Sequence, residues 1–222
     1  MKKFLYVLTA LLFCAALPAQ ETGFPSLKRN AIKVNLLSPI FNAFNVSYQR
    51  VLTPERSIQL GISYMDFDDF ENIDDNVNYY GDNLTNNVKG VNLTVDYKVN
   101  FSGYGLNGFY AGPFMRYMIY ERNFERYDNA TLTFSEKASF QSAGIGFLFG
   151  KQFLFKNTIT LDLFAGPVYQ VLVAEKRTNN MRSGSYTGNI PSSPDNFLGN
   201  SISDLYIKGY SLRAGFNIGF AF

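Results

Sequence analysis

The sequence predicts an all-β protein: one eight-stranded antiparallel transmembrane β-barrel. Three observations predict it. Apolar residues alternate with polar or small ones at a period of two over eight separate stretches, the pattern of strands with unlike faces. The connections between the stretches are mostly short on one side and long on the other, as in barrels of the bacterial outer membrane. The chain opens on Met1-Lys2-Lys3, an apolar run from Phe4 to Leu17, and Pro18-Ala19-Gln20, the layout of an export signal.

Residues 1–19 are therefore read as a signal peptide cut after Ala19. Its apolar run is shorter than the roughly 20 residues of a membrane-spanning helix. Phe13 before Cys14 does not suit a lipoprotein, which needs a small residue there. Residues 20–30 form a short periplasmic lead, and residues 31–222 form the barrel.

The first strand, Ala31 to Leu37, sets Ile32, Val34 and Leu36 on one face, and Ser38 to Asn42 turns the chain. The second, Ala43 to Leu52, sets Phe44, Val46 and Tyr48 against Asn45, Ser47 and Gln49. Thr53-Pro54-Glu55 follows as a turn, where a residue with fixed φ and no N–H fits. The third, Arg56 to Phe67, opposes Ile58, Leu60, Ile62 and Tyr64 to Gln59, Gly61 and Ser63. After a long loop, Asp68 to Asn87, the fourth runs Val91, Leu93, Val95, Tyr97, Val99 and Phe101 against Asn92, Thr94, Asp96, Lys98 and Asn100.

The fifth strand, Gly108 to Glu121, puts Phe109, Ala111, Met115, Tyr117 and Ile119 opposite Arg116. A second long loop, Arg122 to Lys137, leads to the sixth, Ala138 to Lys151, with Ala143, Ile145, Phe147 and Phe149 against Ser142, Gly144, Gly146 and Gly150. The seventh, Thr158 to Ala174, opposes Leu161, Leu163, Tyr169 and Val171 to Thr160, Asp162 and Gln170. A third long loop, Glu175 to Asp204, precedes the eighth strand, Tyr210 to Phe222. Tyr110-Ala111-Gly112-Pro113 and Phe164-Ala165-Gly166-Pro167 echo each other, and each Gly-Pro is expected to mark a bulge. The outer turn at Ser38 to Asn42 is short and departs from the long-loop side.

The choice between a membrane barrel and a secreted lipocalin-like barrel rests on which face is wet. The non-greasy face carries Gly, Ser, Asn and Thr with a few charges, which suits a narrow lumen, and other charges gather in the loops. There is no tryptophan, so Tyr and Phe, 15 and 22 of them, must serve at the membrane interfaces. The inward charges are Asp96, Lys98, Arg116, Asp162 and Arg213. Buried charges must pair, so the expectation is an interior network centred on Arg116 and Arg213 with Asp96 and Asp162.

The last strand resembles the assembly signal of outer-membrane barrels. Gly215, Ile218 and Phe220 carry its Gly-apolar-aromatic spacing, and Phe222 supplies a terminal aromatic. The resemblance implies the barrel-assembly machinery as a partner. Asn30-Ala31-Ile32-Lys33-Val34-Asn35-Leu36-Leu37, followed by Asn45-Val46-Ser47-Tyr48-Gln49-Arg50, resembles the opening of an uncharacterised family of small Bacteroidota outer-membrane proteins. The Tyr-Ala-Gly-Pro segment and Met115-Arg116-Tyr117 are similar too. That resemblance implies a barrel of the OmpX or OmpA type in the outer membrane, and it assigns no functional residue.

Composition excludes several classes of chemistry. With no histidine, a Ser-His relay of the kind used by barrel acyltransferases and phospholipases cannot be assembled, and most zinc sites are removed. Cys14 is the only cysteine and lies in the signal. Loss of Lys2 and Lys3 takes the formal charge from +2 to zero, which offers no pull toward nucleic acid. The acidic stretch Asp66, Asp68, Asp69, Glu71, Asp74, Asp75 and Asp82 lacks the glycine and glutamate spacing of an EF-hand. It reads as a solvated loop that meets lipopolysaccharide phosphates through divalent ions.

No cofactor and no catalysis are expected. The sequence points to a structural or surface-interaction scaffold in the outer membrane that displays extracellular loops, set among lipid and lipopolysaccharide with an unidentified extracellular or envelope partner. A narrow channel or small hydrophobic-ligand conduit is the alternative, and a lipid-modifying enzyme without histidine a third.

Overall fold

The computed structural model describes residues 28–69, 83–128, 131–181 and 209–222. The expected signal peptide, the lead up to residue 27, the acidic positions Glu71, Asp74, Asp75 and Asp82, and residues 182–208 lie outside them. Eight strands follow in order: β1 Asn30–Asn35, β2 Ala43–Thr53, β3 Arg56–Asp69, β4 Asn83–Ser102, β5 Gly108–Asp128, β6 Thr131–Phe155, β7 Ile159–Met181 and β8 Gly209–Ala221. Each pairs antiparallel with its neighbours in sequence, and β1 closes the ring on β8 through Ile32↔Phe220 and Val34↔Ile218. Closure removes both sheet edges at this level, so the backbone donors and acceptors find partners inside the protein.

The faces are inverted relative to a water-soluble barrel. Met115, Ile145, Leu163 and Phe149 are exposed, while Lys33, Asp96, Lys98, Arg116 and Asp162 are buried. On β5 the outward residues run Phe109, Ala111, Pro113, Met115, Tyr117 and Ile119, and then Glu121. The apolar part spans ~34 Å along the strand at ~3.4 Å per residue, and at ~40° tilt this becomes a belt ~26 Å high. The outward run from Phe101 to Val91 on β4 has the same length, and Lys89 follows it.

The strands extend well past the belt at one end. Residues 122–137, expected as a loop, are mostly strand: β5 and β6 stay paired from Arg122↔Ala138 to Asp128↔Thr131. Likewise β4 begins at Asn83 and β7 runs to Met181. The alternating signal fails there for a physical reason. Beyond the apolar belt the outward face carries charges too, so neither face keeps an apolar signal while the backbone ladder continues.

The two Gly-Pro steps are not bulges. Asp96↔Phe114 and Val99↔Ala111 keep one register across Gly112-Pro113, and Gly146↔Val168 and Phe149↔Ala165 keep one across Gly166-Pro167. The ladder skips the proline, which has no N–H to give. The preceding glycine brings the backbones together: a Cβ on Gly112 would strike the Tyr97 carbonyl, and one on Gly166 the Phe147 carbonyl. True register shifts lie elsewhere, as between Asn100 and Ser102 and between Gln141 and Ser142.

The short turns differ in shape. The β1–β2 connection is a 3-10 turn, Ser38–Phe41, ended by Asn42 in the left-handed region, and the Asn35 side chain accepts from the amides of Leu37 and Ser38. The β4–β5 turn folds under the barrel mouth. The Gly105 amide donates to the Pro54 carbonyl at 2.7 Å, Asn100 Nδ2 donates to the Gly105 carbonyl at 2.8 Å, and Leu106 packs at 1 % exposure with Ala31, Val51 and Ala221.

Candidate functional site

The period of two aims one side chain in every two into the lumen, and those side chains form the candidate site. Near the short-turn end, Lys33 on β1, Gln49 on β2, Gln59 on β3, Lys98 on β4, Tyr110 on β5 and Asp162 on β7 converge. Lys33 Nζ and Lys98 Nζ each lie 2.7 Å from Asp162 Oδ2. The Tyr110 hydroxyl donates to Asp162 Oδ1 at 2.7 Å. Lys33 also donates to Gln59 Oε1 at 3.1 Å and to Gln49 Oε1; Lys98 donates to Gln59 Oε1 at 2.9 Å. The Lys98 ammonium sits 4.2 Å from the Tyr110 ring centroid. Lys33 thus spends all three N–H donors, and Asp162 has both oxygens engaged.

A second ion pair lies farther from that end. Arg213 on β8 grips Asp96 on β4 with two parallel bonds, 2.5 and 3.1 Å. Its guanidinium lies 4.6 Å from the Phe114 ring and 5.2 Å from the Phe164 ring. The planar cation is held by a carboxylate at its edge and by aromatic faces.

The single network expected around Arg116 and Arg213 is two assemblies. Asp162 is taken by Lys33 and Lys98, and Asp96 by Arg213. Arg116 is buried higher in the barrel, in register with Thr94 and Gly144. Lys33 and Tyr110 were missed as members. Lys33 was legible, since it stands between Ile32 and Val34 on the inward phase of the first strand. Tyr110 was not, because an aromatic on the inward phase reads as a break in the pattern.

The lumen also holds more apolar bulk than the small residues of the inward phase suggested. Tyr110, Phe114, Leu148, Phe164 and Val168 form one buried cluster, and Met118, Tyr120, Ala138 and Phe140 form another toward the long-loop end. Glycines make the room. Gly150 stands opposite Tyr110, Gly146 opposite Phe114, Gly90 opposite Tyr120 and Gly215 opposite Phe164. A Cβ at any of the four would strike the facing ring. Each pair exchanges the volume of one side chain across the ladder. Of the residues in the terminal pattern, Gly215 is thus one of these lumen pairs. Ile218 pairs with Val34 and Leu161, and Phe220 and Phe222 stack at 6.5 Å on the outer face.

This arrangement rivets opposite walls of the cylinder together. The ion pairs join strands that are not ladder neighbours, β1 and β4 to β7, and β4 to β8. With the rings between them they occupy the lumen at these levels, where Lys33, Asp162, Tyr110 and Phe114 are all buried.

A crystal structure of Acinetobacter baumannii CarO is similar, with a TM-score of 0.45, 12 % identity, and 91 % of this chain and 99 % of that chain covered. A major outer membrane protein from Thermus thermophilus is similar with a TM-score of 0.46, 11 % identity and coverage of 87 % and 98 %. Acinetobacter baumannii CarO2 is similar with a TM-score of 0.40, 12 % identity and coverage of 88 % and 97 %. No curated protein matches the chain. Residues 5–189 match a family described as "Protein of unknown function (DUF3575)".

Proposed function

The chain belongs to the family described as protein of unknown function (DUF3575), and within it we propose that this member is a closed, non-conducting outer-membrane barrel serving as a structural and surface-interaction scaffold. The observation that carries this reading is the filled lumen. Asp162 is bound by Lys33, Lys98 and Tyr110, Asp96 by Arg213, and aromatic rings occupy the levels around them. The apolar belt over polar buried residues supports a membrane setting. The paired extensions beyond the belt supply a rigid stem for display, with lipid, lipopolysaccharide and an extracellular or envelope partner as its surroundings. The same reading takes Gly215, Ile218, Phe220 and Phe222 as the mark for the barrel-assembly machinery. It assigns no catalysis, because Lys33, Asp162 and Tyr110 are committed to one another.

A narrow anion-favouring channel is the second reading. One observation favours it: the buried set Lys33, Lys98, Arg116 and Arg122 outweighs Asp96 and Asp162 in charge. Planar-bilayer recording of the purified protein separates the two. The scaffold reading expects a silent membrane after insertion, and a steady ion-sized conductance overturns it.

A further inference from the structure

The two ends of the barrel differ in charge, one basic and the other mixed. Around the short-turn end stand Lys28, Arg29, Arg50, Arg56, Lys151 and Lys156, and Glu55 is the one exposed acidic side chain among the described residues there, Asp162 being buried in the lumen. At the far end Asp66, Glu121, Glu125, Glu136 and Glu175 are interleaved with basic residues. The basic end also carries a rim of phenylalanines, whereas the exposed rings toward the far end are mostly tyrosines, Tyr64, Tyr117, Tyr169 and Tyr210 with Phe44. Phe101, Phe109, Phe155, Phe220 and Phe222 point outward at its rim, all exposed, with Phe101 stacked on Phe109 at 6.3 Å and Phe153 on Phe155 at 6.2 Å.

The cations sit at the level of these rings. Lys151 Nζ lies 4.4 Å from the Phe109 centroid and 4.7 Å from the Phe153 centroid. Lys28 Nζ lies 5.5 Å from the Phe220 centroid and donates to the Ala221 carbonyl at 3.1 Å. Lys156 and Asn157 both adopt positive φ, 47° and 55°, the backbone of a two-residue hairpin turn, and this sets Lys156 at an exposed tip. Rings at the edge of a hydrocarbon belt mark the depth where headgroups begin, and ammoniums held beside them lie at phosphate height.

We propose that this rim is a binding collar for anionic phospholipid headgroups, built from Lys28, Arg56, Lys151 and Lys156 over the phenylalanine ring. It rests on the membrane reading above and adds the lipid class to it. The charge complement decides the occupant: a zwitterionic headgroup brings its own ammonium against the cations, whereas a net-negative one does not. The opposite end interleaves carboxylates with its cations and offers no such uniformly basic rim.

The test is native mass spectrometry of the full protein purified from membranes in a neutral detergent. It is titrated in parallel with dioleoylphosphatidylglycerol, dioleoylphosphatidylcholine and inorganic phosphate. Phosphatidylglycerol is expected to bind about tenfold tighter than phosphatidylcholine, with the gap shrinking as salt rises, and millimolar phosphate leaves the adducts in place. The triple variant Arg56→Gln/Lys151→Gln/Lys156→Gln loses the preference, and Lys89→Gln/Lys137→Gln at the other end keeps it. The single Lys151→Gln variant, expected to lose part of the preference, stands in if the triple variant does not fold by heat-modifiable gel mobility. Equal binding of the two lipids by the unaltered protein, or a preference untouched by the rim substitutions, overturns the proposal. Displacement by phosphate reduces the site to a free-anion site and overturns it too. Fractionation separates this failure from failure of the membrane reading: a chain that sediments with the envelope but shows no lipid preference loses the collar alone.

Discussion

At Asp162 one carboxylate holds two ammoniums and a phenol that arrive from three different strands. Removing the negative charge leaves Lys33 and Lys98 facing each other around a neutral amide. Asp162→Asn is therefore expected to destabilise the barrel by about 3–5 kcal/mol, the range for breaking a buried pair, read from urea unfolding in detergent followed by heat-modifiable mobility. A variant as stable as the parent would mean that the cluster does not brace the walls. Gly146 makes a second test. Gly146→Leu overpacks the Phe114 ring and also meets the Pro167 carbonyl; it is expected to cost at least about 1–3 kcal/mol, and adding Phe114→Ala should recover only the share owed to the ring. At this scale the inward phase of Asp96, Lys98, Asp162 and Arg213 was legible from alternation alone. Their partners were not. Phase tells which face a residue takes, whereas strand tilt and stagger set its height in the lumen, and height decides who meets whom.

Among the elements, the β5–β6 hairpin shows where a strand pattern stops being readable. Through the belt the outward series Phe109 to Ile119 announces itself; from Arg122 onward charged residues occupy both faces and the pairing persists unannounced. The extension is expected to be dispensable for folding. Replacing residues 123–137 by a two-residue Asn-Gly turn should leave the heat-modifiable barrel intact, and loss of folded protein would show that the hairpin belongs to the folding core. Its exposure gives a companion test. In a Cys14→Ser background, Lys137→Cys should react with a membrane-impermeant maleimide on intact cells, while Lys156→Cys should react only after the envelope is opened. The reverse result would invert the assigned topology. The Gly-Pro steps carry a lesson of the same kind. A proline in a strand announces a missing ladder bond, but whether the chain inserts a residue or leaves the bond unmade depends on the neighbouring backbone, here the Tyr97 and Phe147 carbonyls pressed against Gly112 and Gly166.

For the molecule as a whole, the inversion of faces is the governing fact: the outer wall is apolar and suited to hydrocarbon, and the ion pairs of Asp162 and Asp96 lie within. The eight-strand count, the antiparallel order and the outward apolar face follow from the sequence by itself, because a period of two in a chain with these turns admits few other closures. The absence of histidine likewise limits the chemistry whatever the fold. The tertiary structure alone decided three things: that Lys33 and Tyr110 complete the Asp162 cluster, that glycines and rings interlock inside the lumen, and that the cations gather on the phenylalanine rim. Each of these depends on residues far apart in the chain meeting at a common height. That height is a property of the closed, tilted cylinder, and no single strand carries it.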